Sequence, residues 1–184
     1  CQQFDVNCYQ DNTPGSQVSG AVAYPATLPI LITSGQTTSG DIPVSVLPGA
    51  TINSITVDMD ISHTWVGDVK ATLITPSGTE VVLFDRPGNP ASFFGCAGDD
   101  MVVHFSDNAA NTANDLENTC NASAPTIAGE YQPVDAFSSV YNEDPTGTWV
   151  VEFNDAAFPD DGSVNSFVLT IDASGAVPFP VPDD

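Results

Sequence analysis

ATINSITVDMDISHTWVGDVKATLITPSGTEVVLFDR, residues 50–86, is the stretch whose reading decides the fold. Ile55, Val57, Met59 and Ile61 alternate with Thr56, Asp58 and Asp60, the period of a strand with one dry and one wet face. After the loop His63-Thr64-Trp65-Val66-Gly67 a second strand starts at Asp68, with Val69, Ala71 and Leu73 on one face and Lys70 and Thr72 on the other. Pro76-Ser77-Gly78-Thr79 is a turn by composition, and Glu80 to Phe84 reads as a third strand. The expected result is an antiparallel meander whose first loop closes on an acid.

Outward from that stretch the pattern continues. Ile30–Thr33, Ile42–Leu47 and Met101–Phe105 read as strands. Trp149, Val151 and Phe153 alternate with polar neighbours, as do Phe167, Leu169 and Ile171, and Asn154 to Gly162 joins the two runs. Tyr131 to Phe137 is a further candidate element. Residues 106–128 are almost all small or polar and read as one long loop, of the kind that is functional or tied down. No stretch has a helical period. Residues 1–28 are expected to be a linker or disulfide-tied extension, 29–173 the domain, and 174–184 a Pro-rich linker. About eight strands with short turns predict an all-β, jelly-roll sandwich with its loops gathered at two ends.

At 184 residues and 41% hydrophobic content the chain can bury one sizeable core, so one domain is expected. Twenty-four acids against Lys70 and Arg86 give a formal charge of −22. Such a surface repels phosphate backbones and anionic lipid, which argues against nucleic-acid and membrane-surface roles and makes cations the natural small partners. The Ala21–Ile32 run is broken by Pro25 and Pro29, and no segment is expected to insert in a bilayer. Cys1, Cys8, Cys96 and Cys120 are even in number with no CxxC pair, which predicts two disulfides and an exported protein. Three pairings are open, and the sequence-local one, Cys1 to Cys8 and Cys96 to Cys120, is expected. Cys1 also has an alternative reading as a lipidated bacterial lipoprotein cysteine.

The sequence also carries a family resemblance. Ser62-His63-Thr64-Trp65-Val66-Gly67-Asp68-Val69, then Leu73-Ile74-Thr75-Pro76-Ser77-Gly78-Thr79 and Arg86, resembles the core of the P domain of subtilisin-like proprotein convertases of the kexin and furin type. Phe105-Ser106-Asp107-Asn108-Ala109, Gly129-Glu130-Tyr131-Gln132-Pro133, Gly147-Thr148-Trp149-Val150-Val151, Asp155, Asp161-Gly162 and Ser166-Phe167-Val168-Leu169 continue it in order from Pro29 to Ala173. Val66, Val69 and Phe167 depart from the usual Arg or Lys, Leu and Trp. The resemblance implies a jelly-roll sandwich that follows a subtilisin-like catalytic domain in the parent chain, supports its folding and modulates its calcium and pH response. The expected setting is a secreted bacterial protein. The alternative is a free-standing extracellular module that binds carbohydrate or protein.

No active site can be assembled from the residues. His63 and His104 are the only histidines, and there is no HExxH, GxSxG or phosphate-binding glycine loop. His63 reads as a hydrogen-bonded loop residue, His104 as a wet-face strand residue and Trp149 as core. Trp65 reads as packing on the sandwich end and is the one candidate ligand contact. Asp68, Asp107, Asp155, Asp160 and Asp161 should meet at one end of the sandwich if their connections share it. Converging hard oxygens are what Ca²⁺ prefers, and several members of the family bind calcium, so these five are the candidate metal ligands.

Overall fold

The computed structural model describes residues 17–89 and 91–176. Among these residues ten strands form two sheets: β1 (Gln17–Pro25), β2 (Ile30–Ile32), β3 (Thr37–Val44), β4 (Thr51–His63), β5 (Val69–Ile74), β6 (Glu80–Asp85), β7 (Met101–Ser106), β8 (Ile127–Tyr131), β9 (Gly147–Asp155) and β10 (Gly162–Ala176). One sheet runs β1-β10-β4-β7-β8, with β2 following β1 along the same edge of β10; the other runs β3-β9-β5-β6. The all-β sandwich expected from the alternation is the fold observed. Every pair is antiparallel except β7 with β8.

The alternation decides which side chains enter the core. On β4, Ile55, Val57, Met59 and Ile61 are buried, as are Trp149, Val151 and Phe153 on β9 and Phe167, Leu169 and Ile171 on β10. Two aromatic pairs join the sheets. Phe84 of β6 stacks on Phe105 of β7, and Phe153 of β9 meets Phe167 of β10 edge to face, both with ring centroids 6.4 Å apart. Two asparagines occupy the shifts in register between β4 and β10. Asn165 donates to Asp60 Oδ1 and Ser62 Oγ, while Asn53 Oδ1 accepts from Ser174 Oγ. The second shift lets Ile52 join the core even though it breaks the period set by Ile55.

Several expectations change. β4, β5 and β6 are not one meander. β4 lies in the larger sheet and β5 in the smaller, because the chain crosses the sandwich end through a buried 3-10 turn at Val66–Asp68. Only β5 and β6 form a hairpin. β1 lies within the segment expected to be a linker; it pairs along its whole length with β10, so the sandwich begins well before Pro29. β10 likewise continues past Ala173. Tyr131–Phe137 is not a strand: β8 ends at Tyr131, and a 3-10 turn spans Phe137–Val140.

The 106–128 stretch carries a short helix, α1 (Ala113–Glu117), closed at its start by a reciprocal cap between Thr112 and Asp115. The Cys96–Cys120 disulfide is present and ties this stretch down, with Cα atoms 5.6 Å apart. Cys1 and Cys8 lie outside the described residues. No helix among the described residues is long and apolar enough to cross a membrane.

Candidate functional site

Three connections meet where β4 ends and β10 begins. His63 is the last residue of β4 and pairs in register with Gly162; Asp155 closes β9 opposite Val69; Ser34 lies in the turn between β2 and β3. Because His63 ends a strand on its inward face, its ring is buried rather than in a solvent loop. Its Nδ1 accepts the Trp65 N–H at 3.1 Å, so in the neutral ring the proton sits on Nε2, 3.2 Å from Asp155 Oδ2. Asp155 Oδ1 accepts the Ala157 N–H at 3.1 Å. The carboxylate is therefore engaged by the protein at both oxygens, with its side chain fully enclosed.

Asp68, 5% exposed, lies beside this pair. Burial pushes its carboxyl above the usual range, with Asp155 and then Asp160 repelling it further, and Arg86 opposes both. The Arg86 guanidinium stands 3.9 Å from Asp68 Oδ1, and its Nε donates to the Gly67 carbonyl. Asp160 Oδ1 accepts the Thr64 hydroxyl at 2.8 Å. Asp161 Oδ1 accepts both the amide and the hydroxyl of Ser34 at 2.8 Å, and the amide bond is the main reason its carboxyl is held below the usual range.

Four of the five sequence candidates thus share an end; Asp107 does not. It follows β7, whose Ser106 pairs with Thr56, seven residues back along β4 from His63 and so about 23 Å away at strand spacing. Its two oxygens take the Phe137 and Ser138 amides at 2.8 Å, and Oδ2 also takes the Tyr141 hydroxyl at 3.3 Å. Asp107 caps a 3-10 turn at the far side of the molecule. Among the described residues no three His, Cys, Asp or Glu side chains converge to hold a metal ion. As arranged, the four clustered acids do not fit a carboxylate cage for calcium, because Asp155, Asp160 and Asp161 are turned to protein donors and Asp68 faces Arg86.

Trp65 is half-buried, and its indole N–H donates to the Phe94 carbonyl at 2.6 Å. The neighbouring Phe93 and Phe94 rings are exposed and meet edge to face. Trp149 is core, its N–H bound to the Pro145 carbonyl at 2.8 Å. His104 stays on the wet face, with Nδ1 2.7 Å from Asp58 Oδ1. Sequence reasoning missed Ser34, Thr64 and Arg86 as partners of these acids. Arg86 was the most accessible of the three, being one of only two strong bases in an acidic chain.

The sequence profile of the proprotein convertase P-domain family matches residues 52–171. Two solved structures share the fold. The serine protease of Aeromonas sobria in complex with its chaperone is 14% identical, with a TM-score of 0.52 over 90% of this chain and 28% of that one. The serine protease of Aeromonas sobria alone is 15% identical, with a TM-score of 0.51 over 87% of this chain and 27% of that one. The chain thus spans just over a quarter of the length of these proteases. The search of curated proteins finds no match.

Proposed function

The chain belongs to the proprotein convertase P-domain family, and from that premise we propose that it is the non-catalytic accessory domain of an exported subtilisin-like serine protease. The observation that carries this reading is the family match over residues 52–171. The fold's recurrence as roughly a quarter of a serine protease chain supports it. The Cys96–Cys120 bond supports an oxidising compartment. The work assigned to the domain is to support folding of the catalytic part. The parent gene tests the proposal: it should encode a subtilisin-like domain alongside this one, and deleting residues 17–176 should sharply lower the yield of folded protease. A parent with no protease domain would refute it and favour the free-standing recognition module.

Calcium enters this proposal through Asp68. Asp155 and Asp160 both repel its carboxyl, and only Arg86 and His63 oppose them. A divalent ion would relieve that crowding, but it would need main-chain carbonyls as well, since the carboxylates do not form a cage. Calcium at about a hundred times its Kd would add about 2.7 kcal/mol, or about 5–10 °C in Tm. Melting in EDTA and in calcium at one high ionic strength separates binding from screening. Equal midpoints would remove calcium from the reading and leave the accessory role standing.

A further inference from the structure

We propose that Glu117 is a proton-controlled latch that fastens the disulfide-tied α1 segment to β6. One oxygen, Oε1, accepts the Asp85 amide at 3.0 Å, and the Glu117 carbonyl accepts the Gly88 amide at 2.7 Å, so this residue is clamped to β6 and the turn after it. The other oxygen, Oε2, is sealed from solvent and has no hydrogen-bond partner among the described residues. A buried carboxylate oxygen without a donor strongly favours the neutral acid.

The neighbours do not supply the missing charge. From β6, Asp85 adds a second carboxylate, and Lys70 of β5 lies 3.6 Å from that carboxylate. Arg86 lines the same depression together with Asn89 and Val134, but its guanidinium is turned to Asp68 and the Gly67 carbonyl. β8 packs on the other side of α1 and brings Glu130 and Tyr131, whose hydroxyl is given to the Ala128 carbonyl. On the helix itself Asp115 is held by Thr112, and near Val134 the Asp135 carboxylate takes the Val82 amide. Burial first, and then Asp85, push the Glu117 carboxyl up to about 7, against the pull of the Asp85 amide.

The sign follows from the open segment, where Glu117 has its ordinary value near 4.5. Closure is most favourable below that value. The advantage is lost as pH rises towards 7, and is flat above. The full difference would change the opening constant by about 300-fold, and solvent screening at a partly exposed side chain reduces this to about tenfold or more.

Amide exchange of residues 113–120, corrected for intrinsic rates and referenced to β9, reads the opening constant directly. We expect it to rise about tenfold from pH 5 to pH 8 in the native chain, and to show no such rise in Glu117→Gln. A native opening constant independent of pH, or an equal rise in the variant, would overturn the proposal. Carbon-13 titration of the Glu117 carboxyl in the native chain tests the same point without a variant. A midpoint clearly above 4.5 supports the latch, and one near 4.5 overturns it.

Discussion

Replacing His63 with Ala should destabilise the domain more than any surface change, although nothing in the proposed accessory role needs a catalytic histidine. The substitution removes the Nε2 bond to a fully enclosed carboxylate, Asp155. Hydrogen bonds to charged groups contribute about 1.5–3 kcal/mol. It also strips the acceptor from the Trp65 amide, and leaving a buried polar group unsatisfied costs about 1–3 kcal/mol. The sum is about 2.5–6 kcal/mol. For a domain of this size that is a fall in Tm of about 5–24 °C. Thermal melts at pH 7 in EDTA measure it free of any metal. Because much of the cost is an orphaned carboxylate, His63→Ala combined with Asp155→Asn should cost less than the sum of the two single changes, by about 1 kcal/mol or more. His63→Gln keeps a donor on a similar reach and should recover part of the loss. A fall of less than about 3 °C in His63→Ala, or additivity within about 0.5 kcal/mol, would refute the reasoning.

Removing the Cys96–Cys120 bond as the double serine variant should cost about 3.5 kcal/mol for a separation of 24 residues, read as a lower urea midpoint against the native chain. No loss would mean that the 97–119 loop is held by its packing alone. A pair of glycine substitutions separates close approach from backbone conformation. An added Cβ at Gly67 would stand 2.2 Å from the Cys96 nitrogen, whereas one at Gly78 meets nothing but must accept a φ of +89°. Gly67→Ala is expected to cost about 3 kcal/mol or more and Gly78→Ala about 1–2 kcal/mol, and the reverse order in urea melts would refute the packing described at Val66–Asp68.

Much of the sandwich was legible because half-buried strands show their two faces directly. β4, β9 and β10 announce themselves through Ile55–Ile61, Trp149–Phe153 and Phe167–Ile171, and Cys96–Cys120, a bond of the sequence-local choice among three open pairings, is the one observed. β1 does not announce itself. QVSGAVAYP sustains no polar–apolar alternation beyond Ser19, and it pairs as a strand along the continuous edge of β10. The assignment of β4 and β5 to different sheets was hidden for a related reason. A hairpin loop and a crossing loop look alike in sequence, and only the burial of Val66 and Gly67 distinguishes them. α1 had a readable signal in the Thr112–Asp115 spacing, but five residues are too few to display a period.

At the candidate site Asp68 and the acids of the β9–β10 connection lie at one end of the sandwich, and Asp107 lies elsewhere because the direction of β7 is not a local property. Carboxylates were also easier to see than what holds them. The Ser34 amide, the Thr64 hydroxyl and the inward turn of His63 are tertiary facts with no local motif.

The central position of β10 in the larger sheet has a consequence for biosynthesis. β1 and β4 both pair with β10, yet β10 is the last of the described strands to be synthesised. Until it arrives, β1 and β2 have no partner in the larger sheet and β4 has only β7, so that sheet cannot be completed as the chain emerges. Such long-range pairing is slow to nucleate, and strands waiting with open edges are prone to aggregate. A domain built this way closes its larger sheet in one late step, once β10 is available to both of its flanks.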